Sequence, residues 1–146
     1  MSALHNVSDP VAKTLERWHA MVAANDLTEV AELLHPDVAF SSPAFWSPYP
    51  GPVAVAHVLQ TAVGVLATDF TYHRSFATDD GQHVVLEFSA RLEELELKGI
   101  DMIAFDADGL ITRFEVMIRP MKSLALLAER MGAAVNPVLL GKAPKP

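Results

Sequence analysis

An acid interrupts an otherwise apolar run in the segment LKGIDMIAFDADGL, residues 97–110. Asp101 shares strand parity with Ile103 and Phe105, while Ile100, Met102 and Ala104 take the other side, so neither face reads as wet. A carboxyl in that setting loses hydration when it ionises, and its pKa rises. It can then give or take a proton near neutrality, which is what general acid or base catalysis requires. Asp101 is the candidate catalytic residue. The alternative is a structural carboxyl bonded to backbone or to buried water.

The other candidates are of a kind that lines a pocket. Trp18 lies on an apolar helical stripe and reads as core packing that can also stack on a ligand. Ser42 precedes Pro43 and reads as a strand-end hydroxyl serving the backbone, with donation to a ligand as the alternative. Phe45, Trp46 and Tyr49 crowd the stretch PAFWSPYPGP (43–52), whose four prolines and one glycine exclude a helix or a central strand. Side chains so large and apolar suit a stiff lid or wall. Tyr72, Phe88, Phe114 and Val116 occupy the apolar parities of their strands. Arg74 has the parity of Tyr72 and Phe76, and on a pocket face it would pair with Asp101 or with an anionic substrate. That pairing would lower the Asp101 pKa and undo its role as an acid.

Six histidines raise the question of a metal or a base, yet none form an HxH strand pair or an i, i+4 helical pair. His35, before Pro36, is placed to satisfy the last carbonyls of a helix. His57 and His73 remain general-base candidates, with surface or partly buried roles as the alternative. There is no cysteine, no GxGxxG and no P-loop, so thiol chemistry is excluded and no cofactor is signalled.

These residues need elements to hold them. Asp9 and Pro10 read as the start of a helix over 10–24, and Leu27, Val30, Leu33 and Leu34 give a second helix its stripe before Pro36. A short strand follows at 37–42 and a third helix at 53–66. The period then changes to two, with strands at 69–77, 83–93, 97–105 and 110–120 and a hairpin turn at DADG (106–109). A C-terminal helix begins after Pro120. The domain spans 1–131, and 132–146 is a loosely ordered tail in which Val138, Leu139 and Leu140 have the chance to dock. Helices preceding an antiparallel meander imply an α+β layer arrangement, with a twisted sheet curling around the first helix to leave a hollow cone.

The 146 residues fit one domain, and 51% hydrophobic with 20% charged residues exclude disorder. A net charge of −7 without a Lys/Arg cluster makes nucleic acid an unsuitable partner. No apolar run reaches the roughly 18 residues a membrane span needs. MSALHNVSDP (1–10) has no basic stretch followed by an apolar one, so the expected location is cytoplasmic.

In ERWHAMVAANDLTEVAELLHPDVAF (16–40), the Pro-rich loop ending at Gly51, and KGIDMIAFDADGLITRFEVMI (98–118), the chain resembles the NTF2-like superfamily, in particular its SnoaL-like and ketosteroid-isomerase-like branches. The resemblance implies a conical (cystatin-like) α+β barrel, three N-terminal helices packed in a curved antiparallel sheet, and a homodimer through the sheet face. It places Asp101 where ketosteroid isomerases keep an acidic donor for the substrate oxyanion, held protonated by its apolar site. The catalytic base of those enzymes corresponds to Ser42, and their oxyanion tyrosine to Trp18, so two of the three positions differ. Limonene-type epoxide hydrolases are similar at Asp101, but their arginine corresponds to Gly99 and their second acid to Val116.

Two readings follow, and the sequence leaves both open. One is a cofactor-free isomerase, cyclase, dehydratase or hydrolase acting on an apolar ring-like substrate with Asp101 as acid or base. The other is a non-catalytic domain that binds a hydrophobic metabolite, or a dimeric interaction module.

Overall fold

The structure is a computed structural model that describes residues 4–141. Its elements run α1 (Asp9–Ala23), a 3-10 turn (Val30–Leu33), β1 (Leu34–Ser41), β2 (Tyr49–Pro50), α2 (Pro52–Val65), β3 (Thr71–Ala77), β4 (His83–Leu92), β5 (Leu95–Phe105), β6 (Ile111–Arg119), α3 (Met121–Ala134) and α4 (Pro137–Leu140). The architecture is α+β: one six-stranded sheet in the order β2-β1-β6-β5-β4-β3, curved but not closed, with helices on its inner face. β3 to β6 form the expected antiparallel meander, whereas β1 lies parallel to β6.

Ser8 caps α1 through its hydroxyl, and Pro10 sits in the first turn, where its missing N–H costs nothing. Val11, Thr14, Leu15 and Trp18 form the buried stripe. Thr14 Oγ1 donates to the Gly109 carbonyl at 2.6 Å, fastening α1 to the β5–β6 hairpin. Gly109 has φ +81°, and a Cβ there would collide with the Pro10 carbonyl oxygen, so this turn accepts only glycine. Trp18 lies one helical turn beyond Thr14 on the same face, which carries it over the sheet.

The second helix is a correction. Only Val30–Leu33 coil, as a single 3-10 turn, and Leu34 is already extended, paired with Ile111 of β6. Pro36 disfavours helical geometry at His35, and the strand takes the chain earlier than the apolar stripe suggested. His35 does not serve helix carbonyls: its Nδ1 accepts the Asp37 N–H at 2.9 Å. The Pro-rich segment ends in β2, a two-residue strand on the sheet edge where proline is tolerated.

β4 and β5 alternate as read, with Val84, Leu86, Phe88, Ala90 and Leu92 buried on one and Leu97, Asp101, Ile103 and Phe105 on the other. β3 departs from simple alternation. Tyr72 opposes Phe88 and Ser75 opposes Leu86, so His73 and Arg74 together face Glu87 in a β-bulge. The extra residue reverses the parity beyond it. Tyr72 points inward, and Arg74 and Phe76 turn to the outer face, the guanidinium 5.7 Å from the Phe76 ring centroid.

α3 continues to Ala134, and α4 follows with Leu140 buried and Val138 exposed. Residues 142–146 of the expected tail lie outside the described residues. Among the described residues no helix is long and apolar enough to cross a membrane.

Candidate functional site

The concave face of the sheet, α2 and α3 enclose a cavity of about 170 Å³. Its walls are aromatic. Phe114 of β6 stacks on Phe40 of β1 at 5.8 Å and meets the Trp18 edge at 5.2 Å. On the β4 side Phe70 stacks on Phe88 at 5.2 Å and meets Tyr72 edge-on at 5.0 Å. Leu124, Leu127, Ala128 and Met131 of α3 form the wall opposite, and Ala44, Phe45 and Gly132, all exposed, mark the mouth.

Asp101 sits in β5 between Leu86 of β4 and Val116 of β6, and its residue is 6% exposed. Burial pushes its carboxyl up to about 7, against a hydrogen bond from Tyr72 that acts in the other direction. Tyr72 Oη donates to Asp101 Oδ2 at 2.6 Å, and Trp18 Nε1 donates to Tyr72 Oη at 3.0 Å. Burial, followed by the nearby Asp101 charge, holds the Tyr72 phenol well above its usual range. At neutral pH the phenol is therefore a donor, and Asp101 exists in both protonation states.

Of the residues singled out from the sequence, Trp18, Ser42, Phe45, Tyr49, Tyr72, Phe88, Asp101, Phe114 and Val116 all border this cavity. Trp46 and Arg74 do not. Trp46 is 86% exposed at the tip of the Pro-rich loop. The pairing of Arg74 with Asp101 is corrected: the bulge puts Arg74 on the outer face, where its Nε and Nη2 bond Glu87 at 2.9 and 2.7 Å. Lys98 approaches the same carboxylate at 3.2 Å, and these partners, Arg74 foremost, hold Glu87 well below the usual carboxylate range. Among the described residues Asp101 thus keeps no cation beside it, and the Tyr72 hydrogen bond is what opposes burial in favouring its ionised form.

Ser42 Oγ accepts the N–H groups of Ala44 and Phe45, each at 3.1 Å, so it braces the loop that forms the mouth. The two histidines considered as bases are elsewhere. His57 Nε2 accepts the Asn136 N–H at 2.8 Å, and His73 lies exposed against Ser89 Oγ. His19 is the histidine close to the site: it packs edge-on against Tyr72, and burial lowers its pKa, which keeps it neutral. Among the described residues no three His, Asp or Glu side chains converge as a metal-ligand set.

Sequence reasoning passed over the Tyr72–Asp101 bond and the α3 wall. The wall was visible as an apolar stripe at Leu124, Leu127, Ala128 and Met131, spaced i, i+3, i+4, i+7. Gly99 also acquires a reason. Phe88 lies directly over it across the strand pair, and a Cβ would sit 2.7 Å from the ring and 2.5 Å from the Met117 carbonyl oxygen.

Residues 15–114 match the family model of the SnoaL-like domain. Among solved structures, a steroid delta-isomerase from Pseudomonas aeruginosa is 51% identical, with 87% of this chain and 92% of that chain covered and a TM-score of 0.85. An uncharacterised bacterial protein with a cystatin-like fold from Silicibacter pomeroyi DSS-3 is 34% identical, with coverages of 82% and 83% and a TM-score of 0.76. A Mycobacterium tuberculosis protein solved in complex with estradiol-17beta-hemisuccinate is 16% identical, covers 77% of this chain and 100% of its own, and at a TM-score of 0.60 shows the fold alone. No curated protein matches the chain significantly.

Proposed function

The chain belongs to the SnoaL-like family, and from that premise we propose that it takes an apolar ring-shaped molecule into the cavity and moves a proton on it without a cofactor, with Asp101 as the acid or base. The observation that carries this reading is a carboxyl at an aromatic cavity wall whose pKa is raised to about 7 by burial. A group poised near the working pH is the most effective proton-transfer catalyst. The likeness to a steroid delta-isomerase favours isomerisation among the reactions open to one carboxyl. A proton lifted from one ring carbon and returned to another leaves Asp101 as it began, with no oxidant or metal consumed. Trp18, Phe45, Tyr49, Phe88, Phe114 and Val116 supply the apolar wall in this reading, and Ser42 holds its mouth.

Size limits the guest. Apolar cavities of roughly 150 Å³ hold a single benzene ring, and drug-sized ligands occupy roughly 300–1,000 Å³. A cavity of about 170 Å³ therefore receives one ring at Asp101, and the rest of a larger molecule extends through the mouth at Phe45 and Gly132 or displaces it.

A second reading, hydrophobic-ligand binding without turnover, is favoured by the commitment of the Ser42 hydroxyl to two backbone N–H groups, which leaves no second base at that position. Asp101→Asn separates the two. Incubated with a steroid whose ring double bond is not conjugated to its ketone, the wild type should generate the ultraviolet absorbance of the conjugated enone. The variant should lose this by at least about 100-fold while still binding product. Binding by the wild type with no absorbance change favours the second reading.

The same reading includes a cytoplasmic homodimer. Its support is the outer sheet face, where Met102 and Met117 are 36% and 47% exposed beside Ile100 and are bordered by Arg113, Glu115 and Arg119. Sedimentation as a monomer at micromolar concentration would count against it.

A further inference from the structure

We propose that Trp18 is a positioning residue for Asp101, acting through Tyr72: the three form a one-way hydrogen-bond chain that ends on Oδ2 and leaves Oδ1 as the atom where a proton enters or leaves. The direction follows from chemistry. An indole N–H only donates, and Trp18 is 2% exposed, so this donor must spend itself on Tyr72 Oη. With its oxygen accepting from Trp18, the phenol turns its hydrogen to Asp101 Oδ2, 2.6 Å away, a separation typical of a donor facing a carboxylate. Among the described residues Oδ1 has no such partner. Among the described residues no fully occluded side-chain nitrogen or oxygen lacks a hydrogen bond, so Oδ1 is not occluded, and its residue lines the cavity.

The surroundings add no competing charge. α1 contributes Trp18 and His19, the latter neutral; β2 contributes the Tyr49 hydroxyl; β4 contributes Leu86 and Phe88, β6 Val116, and α3 Leu127 and Met131. Glu87, Arg74 and Lys98 occupy the opposite face of the sheet. The chain is thus what opposes burial in setting the protonation of Asp101. Because linked hydrogen bonds polarise one another, the Trp18 donor strengthens the bond Tyr72 makes to the ionised carboxylate. The consequence for the ligand rests on the function proposed above: a protonated Oδ1 donates to a ring ketone, and an ionised Oδ1 accepts from a ring alcohol or phenol.

The test needs no ligand. The Asp101 side-chain carboxyl, labelled with carbon-13 and assigned through Asp101→Asn, is titrated by NMR in the wild type, Trp18→Phe and Tyr72→Phe. Trp18→Phe keeps an aromatic ring on this helical stripe and removes the donor together with the second ring's volume, which is why the wild-type indole readout accompanies it. The expected midpoint rises by about half a pH unit in Trp18→Phe and by at least as much in Tyr72→Phe. In the wild type the Trp18 indole N–H resonance should titrate at the Asp101 midpoint, a readout that requires no variant to fold and that mere packing would not produce. An unmoved midpoint in Trp18→Phe, or an indole N–H indifferent to Asp101, overturns the chain. A correct titration with no binding of ring ketones or alcohols leaves the chain standing and removes the ligand reading instead.

Discussion

The Tyr72 hydroxyl lies 2.6 Å from Asp101 Oδ2, although 29 positions of sequence and the whole of β4 separate the two side chains. The bond crosses a central strand because Tyr72 precedes the β3 bulge and still faces the concave side, as Asp101 does. It is the point at which an apolar cavity becomes chemically specific, and the consequences of burying that carboxyl can be measured.

The first consequence concerns stability. In the unfolded chain the Asp101 carboxyl has its ordinary value of 3.8, and in the folded protein burial raises it to about 7. Between these values the folded state holds the proton more tightly, so stability falls as pH rises through that window and levels off above it. The loss amounts to up to about 4 kcal/mol. Urea unfolding at pH 5 and pH 8 should show this decline in the wild type. Asp101→Asn, which has no charge to bury, should lack it and be the more stable protein at pH 8.

The second concerns binding. Two ligands with one ring skeleton, a ketone and a phenol, should show opposite pH dependences. Ketone affinity should weaken by up to about tenfold per pH unit above the Asp101 midpoint, as the donor at Oδ1 is lost. Phenol affinity should strengthen as pH rises to the Asp101 midpoint and level off above it, until the phenol itself ionises. Titration calorimetry from pH 5.5 to 8.5 decides it, and parallel profiles would count against Oδ1 as the contact.

Gly99 should tolerate no side chain. An alanine Cβ would lie 2.7 Å from Phe88 Cζ and 2.5 Å from the backbone oxygen of Met117, and only the first of these can move. Overpacking of this kind costs roughly 1–3 kcal/mol. Gly99→Ala should lower the thermal midpoint and, by displacing the Phe88 ring, alter ligand affinity as well.

Arg74 provides the control. Its partner is Glu87 on the outer face, and it reaches nothing in the cavity. Arg74→Ala should leave ligand affinity and the Asp101 titration unchanged, while the pH dependence of unfolding in acid shifts as Glu87 loses its principal partner.

β4 and β5 were legible in the sequence because each has one dry face, and alternation follows from that. The apolar setting of Asp101 was legible for the same reason. The side of the sheet taken by Arg74 was not, because a bulge inserts one residue without any compositional mark and reverses every position beyond it. The second helix misled because Val30, Leu33 and Leu34 fit a helical stripe equally well as a 3-10 turn running into a strand. The Tyr72–Asp101 bond depends on the register of two strand pairs at once, which local pattern does not encode. Trp46 looked like wall material by size and apolarity, yet the loop turns it to solvent while its neighbour Phe45 reaches the cavity.

The most direct measurement is a crystal structure of the protein with a ring ketone bound. The account predicts one ring between Phe88 and Phe114 with its oxygen at hydrogen-bond distance, roughly 2.5–3.0 Å, from Asp101 Oδ1. A guest seated outside the cavity, or one inside it with its oxygen turned away from Asp101, would contradict the account.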